Sequence, residues 1–112
     1  MAKIAIVGAG RVGTAAAKIL LTVSDHEVVL IDSSEEALTK AYIECADTPR
    51  SPHRIALTPT IPVETYVAFG KDQIEATLRG VSPDVVICST PYTMNVIVAE
   101  IADRIGSHYL DF

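Results

Sequence analysis

Three short segments of this 112-residue sequence combine residue types whose spacing could do chemistry. The first is Gly8-Ala9-Gly10-Arg11-Val12-Gly13, which follows directly on the apolar run Lys3 to Val7 and opens a segment of helical period. Glycine at the first position permits a tight turn, and glycine at the third lets a ligand approach the backbone. At the sixth it lets a helix pack closely on a strand. Free N–H groups and the positive end of the helix dipole then attract an anion, which makes this loop a candidate pyrophosphate site. Such a loop is a weak signal alone; its place between a strand and a helix makes it a strong one.

The second segment is Asp32-Ser33-Ser34, with Asp32 at the end of the apolar run Val28 to Ile31. An acid about 20 residues beyond the last glycine stands where the hydroxyls of an adenine ribose need an acceptor. Loop and acid together imply a dinucleotide. A carboxylate within about 4 Å of a 2′-phosphate would be repelled by roughly 4 kcal/mol at an effective dielectric of ~20. Even half of that favours NAD over NADP more than about tenfold. Arg11, Ser33 and Ser34 supply donors that keep NADP open. The third segment is Ser89-Thr90-Pro91-Tyr92, after Val85 to Cys88, where small hydroxyl residues could reach the ribose and phosphates of the nicotinamide half.

These segments need elements to hold them. Short apolar runs alternate with helical periods, the pattern of a parallel sheet covered on both faces. Strands are predicted at Lys3–Val7, Val28–Ile31, Tyr66–Phe69, Asp84–Cys88 and Ser107–Leu110. Between the first two, Val12, Ala15, Ala16, Ile19, Leu20 and Val23 recur at helical spacing. A second helix is predicted to begin at a capping box of Ser33 and Glu36 and to bury Leu38, Ala41, Tyr42 and Cys45. A third spans about Lys71 to Arg79, ended by Gly80, and a fourth about Thr93 to Ile105, capped by Thr93 and ended by Gly106. Right-handed crossovers then give a Rossmann-like doubly wound α/β fold, strand order 3-2-1-4-5, with helices on both faces and a crevice at the carboxyl ends of strands 1 and 4. Residues 46–62 do not fit this scheme. They hold four of the six prolines, at 49, 52, 59 and 62, and read as an irregular insert in which Ile55-Ala56-Leu57 could form a short extra strand.

Composition agrees with one domain over 1–112. The chain is 49% hydrophobic but only 5% aromatic, so its core is aliphatic. A net charge of −5 provides no basic footprint for nucleic acid or an anionic membrane. No apolar stretch approaches the ~18 to 20 residues of a membrane span, and the interrupted start is not a secretory signal, so a cytoplasmic protein is expected. Cys45 and Cys88 read as reduced core thiols. His26, His53 and His108 lack ligand spacing, so no metal site is expected.

Gly-Ala-Gly-Arg-Val-Gly at 8–13, Ser-Thr-Pro-Tyr-Thr-Met-Asn at 89–95 and His108-Tyr109-Leu110-Asp111 together resemble the cofactor domain of saccharopine dehydrogenase-like oxidoreductases. That family includes lysine and carboxynorspermidine dehydrogenases. The resemblance implies that Gly8, Gly10, Arg11, Val12 and Gly13 bind the pyrophosphate, Asp32 with Ser33 the adenine ribose, and Ser89, Thr90 and Pro91 the nicotinamide half. Asp111 would end a strand nearest the substrate. It further implies hydride exchange with an amino-acid-derived amine or imine, and a second domain, not present in this sequence, for substrate and acid–base groups. No catalytic residue is therefore expected in this portion, and a homodimer is left open. The first forty residues also fit an NAD(H)-sensing regulatory domain of a potassium-transport system, a reading that the segments at 89–95 and 108–111 disfavour.

Overall fold

A computed structural model describes residues 2–46, 55–59, 67–90 and 94–112. The elements run β1 (Lys3–Val7), α1 (Arg11–Val23), β2 (Glu27–Asp32), α2 (Glu35–Ala46), β3 (Ile55–Pro59), α3 (Val67–Val81), β4 (Val85–Cys88), α4 (Asn95–Ile105) and β5 (His108–Asp111). The strands form one sheet in the order β3-β2-β1-β4-β5, and every pairing is parallel. The strands β2-β1-β4-β5 carry the sheet's described core.

Strand alternation divides that core in two. Ala5, Val7, Val29, Ile31, Val86 and Cys88 face α3 and α4, where they meet Ile74, Leu78, Val98 and Ile101. Ile4, Ile6, Val28 and Leu30 face the other way, onto Ala17, Leu21, Leu38 and Cys45 of α1 and α2. A side-chain period of two, buried on both faces, is why these strands read as unbroken apolar runs. Full burial of a residue such as Leu21 or Leu30 stabilises by about 1.5–3 kcal/mol.

Three sequence expectations need correction. The strand expected at Tyr66–Phe69 is not one: Val67 to Phe69 open α3, and Tyr66 lies outside the described residues. A short apolar run cannot by itself be told from buried helix. The third strand is Ile55–Pro59, so the chain needs a crossover helix before β4, and α3 extends through Gly80 to Val81. Residues 47–54 and 60–62 of the expected insert lie outside the described residues. In the second correction, α2 is capped by Ser34, whose Oγ accepts the Ala37 N–H at 3.1 Å; Ser33 is exposed and forms no box with Glu36. Thr93, the expected cap of α4, also lies outside the described residues.

The third concerns α1. Its buried residues are Gly13, Thr14, Ala17 and Leu21, while Val12, Ile19 and Val23 of the predicted stripe are exposed. The small Gly13 and Ala17, on the buried side, allow the helix to approach the sheet closely. At the other end of the fold, α4 stops where Gly106 adopts φ +77, the left-handed conformation glycine takes most readily.

Candidate cofactor site

The loop between β1 and α1 is built from opposed demands. Gly8 has φ +106, and its N–H donates to the Ile31 carbonyl at 2.7 Å, which ties the turn to β2. A Cβ on Gly13 would lie 1.9 Å from the Gly8 carbonyl oxygen and 2.7 Å from Ser89 Oγ, so helix, turn and β4 touch at this point. A Cβ on Gly10 would meet nothing within 4 Å. The first bond of α1 runs from the Thr14 N–H to the Gly10 carbonyl at 2.9 Å, so the amides of Arg11, Val12 and Gly13 precede the intrahelical ladder. Gly10 caps the helix with no side chain. Open space over Gly10 beside unladdered amides fits the pyrophosphate of a dinucleotide.

Asp32 does more than its position suggests. Its Oδ2 accepts the Ala9 N–H at 2.7 Å and its Oδ1 the Ser34 N–H at 2.8 Å. The carboxylate thus joins the glycine loop to the start of α2. Each oxygen retains a second lone pair, so acceptance from a ribose remains open. Thr14 is the only buried polar residue of the core among the described residues, and its Oγ1 donates to the Ala9 carbonyl at 3.1 Å.

The β4 end braces the loop from the other side. The Ser89 N–H donates to the Val7 carbonyl at 2.9 Å, and Ser89 Oγ donates to the Gly8 carbonyl at 2.8 Å. Thr90 Oγ1 lies 3.0 Å from Cys88 Sγ. Beside it on β5, the Tyr109 hydroxyl donates to Asp111 Oδ2 at 3.1 Å. Burial, then the neighbouring Cys88 and Asp111, raise the Tyr109 phenol above its ordinary range. Near the start of α4, the buried Oδ1 of Asn95 has no hydrogen-bond partner among the described residues.

The structure therefore brings Gly8, Gly10, Gly13, Asp32, Ser89 and Thr90 to one end of the sheet. Arg11 lines a groove of about 360 Å³ that descends from Ala9 and Gly10 between α1 and α2, with Lys18 and Lys40 on its walls and Glu44 opposing them. Only the amide of Val12 belongs to the loop, since its side chain is exposed on another flank of α1. Ser33 is exposed, and Pro91 lies outside the described residues. Sequence reasoning missed Ala9, Lys18 and Lys40. Lys18 stands two turns below Arg11 on the same helix face, a spacing visible in the sequence; the pairing of Ala9 with Asp32 has no local signal.

Among the described residues no group of three His, Cys, Asp or Glu could hold a metal ion, and no helix is long and apolar enough to cross a membrane. Both cysteines are buried and neither forms a disulfide among the described residues. Burial and the nearby Glu44 raise the Cys45 thiol, with Lys18 acting against them.

A parallel sheet of this order, with a glycine turn entering α1 and an acid ending β2, defines a Rossmann-type dinucleotide-binding domain. Residues 4–112 match the family described as the saccharopine dehydrogenase NADP binding domain, and the chain belongs to that family. It is a nicotinamide-dinucleotide-binding domain by that family's description. Solved structures agree in fold. The apo saccharopine dehydrogenase (L-Glu forming) of Saccharomyces cerevisiae superposes with a TM-score of 0.70 at 16% identity, over 99% of this chain and 21% of that one. A short-chain dehydrogenase/reductase (wide type) of Veillonella parvula, in complex with NADP, gives 0.68 at 16% identity over 98% and 46%. The Bordetella bronchiseptica enzyme WbmG, in complex with NAD, gives 0.68 at 19% identity over 99% and 37%. The chain thus spans about a fifth of the yeast enzyme's length. None of the curated proteins compared matches its sequence.

Proposed function

We propose that this chain is the cofactor half of an oxidoreductase that transfers hydride between a nicotinamide dinucleotide and an amino-acid-derived amine or imine. The observation that carries the cofactor part is the open space over Gly10 beside the amides of Arg11, Val12 and Gly13. In this reading those amides, with Gly8 and Gly10, hold the pyrophosphate, and Arg11, Lys18 and Lys40 concentrate positive charge at its flank. Asp32 and Ser33 receive the adenine ribose, while Ser89, Thr90 and Pro91 line the nicotinamide half. The bound cofactor supplies the hydride chemistry. The chain's own residues bind and orient it, and a second domain of the kind found in longer family members supplies the substrate site and proton-transfer groups.

Membership of the saccharopine dehydrogenase family supports an amine or imine substrate and a dehydrogenase over a potassium-transport sensor. Asp32 supports NAD over NADP, because its charge stands at the ribose position. Arg11 and the two lysines act in the opposite sense.

Calorimetric titration of the chain with NADH and with NADPH tests both levels. Tighter binding of NADH is expected. No measurable affinity for either at millimolar concentration would refute the cofactor reading, and tighter binding of NADPH would overturn the role given to Asp32. Activity assays on a longer protein containing this domain, with saccharopine, lysine and simple imines as substrates, test the substrate class; no turnover of any of them would refute it.

A further inference from the structure

The threonines of α1 and α2 place their hydroxyls in two different ways. Thr22 Oγ1 donates to the Lys18 carbonyl at 2.7 Å and Thr39 Oγ1 to the Glu35 carbonyl at 2.9 Å, each four residues back along its own helix and each at the surface. That is the ordinary local bond of a helical hydroxyl. Thr14 is 6% exposed, and its Oγ1 reaches past the carbonyl four residues back to that of Ala9, which lies outside the helix. The Gly10 carbonyl that it passes over is taken by the Thr14 N–H.

Two successive peptide planes of the loop are fixed in this way. The plane between Gly8 and Ala9 is pinned at both ends: Ser89 Oγ donates to the Gly8 carbonyl, and the Ala9 N–H donates to Asp32 Oδ2. The plane between Ala9 and Gly10 is pinned at its carbonyl end by Thr14. Its other end is the Gly10 N–H. Among the described residues the N–H groups of Gly10, Arg11, Val12 and Gly13 have no hydrogen-bond partner. Four successive unpaired donors beside a fully paired turn form a concave receptor for an anion, and the peptide that Thr14 holds sets the aim of the first of them.

We infer that Thr14 is a positioning residue of the pyrophosphate loop, acting through the Ala9–Gly10 peptide rather than by contact with the ligand. The inference rests on the dinucleotide reading above and adds to it a residue that the glycine spacing does not mark. Packing does not call for a hydroxyl at this place, since the rest of the buried face of α1 is Gly13, Ala17 and Leu21. A valine has nearly the same shape but lacks the donor. The Ala9 carbonyl, on a residue 3% exposed and with no other partner among the described residues, would then be left unsatisfied or turn away. Because one rigid plane carries both groups, turning that carbonyl re-aims the Gly10 N–H. A receptor set before the ligand arrives binds more tightly than one that must be ordered by it.

Titration calorimetry of the chain with inorganic pyrophosphate, a probe without ribose or nicotinamide, tests this beside NADH. Thr14→Val is expected to lower affinity for both by a similar factor, at least about threefold, while Thr14→Ser, which keeps the hydroxyl and gives up the methyl group, stays within about twofold of the original chain. A residue that serves packing alone gives the reverse order, because the valine preserves the filled volume and the serine leaves a gap. That order, or two variants that bind alike, would overturn the inference. Urea denaturation of the same samples separates folding from binding, and an affinity loss that vanishes once the folded fraction is counted would also overturn it. Should the valine chain not fold, Thr14→Ala against Thr14→Ser isolates the same hydroxyl. A chain with no affinity for pyrophosphate at millimolar concentration sinks the inference whatever it does with NADH. One that takes pyrophosphate but neither NADH nor NADPH leaves the positioning role standing and removes the dinucleotide reading.

Discussion

At Gly13 an added methyl group would lie 1.9 Å from the Gly8 carbonyl oxygen, whereas at Gly10 on the same loop it would meet nothing within 4 Å. The inner flank of the loop is filled by the protein: the turn, the helix and Ser89 of β4 occupy it. The outer flank is kept clear, with unladdered amides along it. The same residue type serves packing at one position and access at the other, so equal substitutions at the two positions should fail in different assays.

Gly13→Ala should have the largest effect. With backbone atoms as the obstacle, the overpacking costs about 3 kcal/mol or more, and urea denaturation should show a clearly lower midpoint together with loss of nucleotide binding. Gly10→Ala reverses the pattern. Stability should change by less than about 1 kcal/mol, because Gly10 has an ordinary φ of −76 and open surroundings, while calorimetry should show NADH affinity lowered at least about tenfold. If Gly10→Ala instead destabilised the fold and left affinity intact, the division of the loop into two flanks would be wrong.

Smaller effects sharpen the comparison. Asp32→Asn keeps the shape but sets an amide nitrogen against a backbone donor at either Ala9 or Ser34, a loss of about 1–3 kcal/mol in denaturation. The ratio of NADPH to NADH affinity should rise in the same variant. Ser89→Ala removes one neutral hydrogen bond to the Gly8 carbonyl, and should lower stability by about 1 kcal/mol and nucleotide affinity only a few-fold. The least effect is expected far from the loop, at Glu75, which accepts from Arg104 on α4 and Arg79 on α3. Those partners, Arg104 first, hold its carboxyl below the usual range. Its contribution is therefore present above the unfolded-state value and disappears as the pH falls through the lowered folded value. Glu75→Gln should flatten the acid limb of the stability profile slightly and leave NADH affinity unchanged.

What the sequence revealed of this site is what a local pattern can carry. Gly8, Gly10, Gly13 and Asp32 were legible because a strand, a turn and a helix follow one another within a few residues, and each glycine has a distinct geometric duty. The bracing was not legible. Ser89 reaches Gly8 across 81 positions and Asp32 reaches Ala9 across 23, and neither contact leaves a periodic trace. Residues 67–69 misled because a short apolar run has no period with which to declare itself. Helix α1 misled in another way: it is apolar on two sides, and periodicity alone cannot say which side its own sheet will cover.

The Ser89–Gly8 hydrogen bond also bears on the order of events in folding. The turn at Gly8 and the first helix can form early from neighbouring residues, but this brace joins the loop to a strand synthesised much later. Contacts between such distant parts of a chain are made slowly, because closing the loop between them is entropically costly. Full nucleotide affinity during refolding should therefore lag behind the recovery of helical signal, and the few-fold gain that the brace brings would serve as a stopwatch for the docking of β4 onto β1.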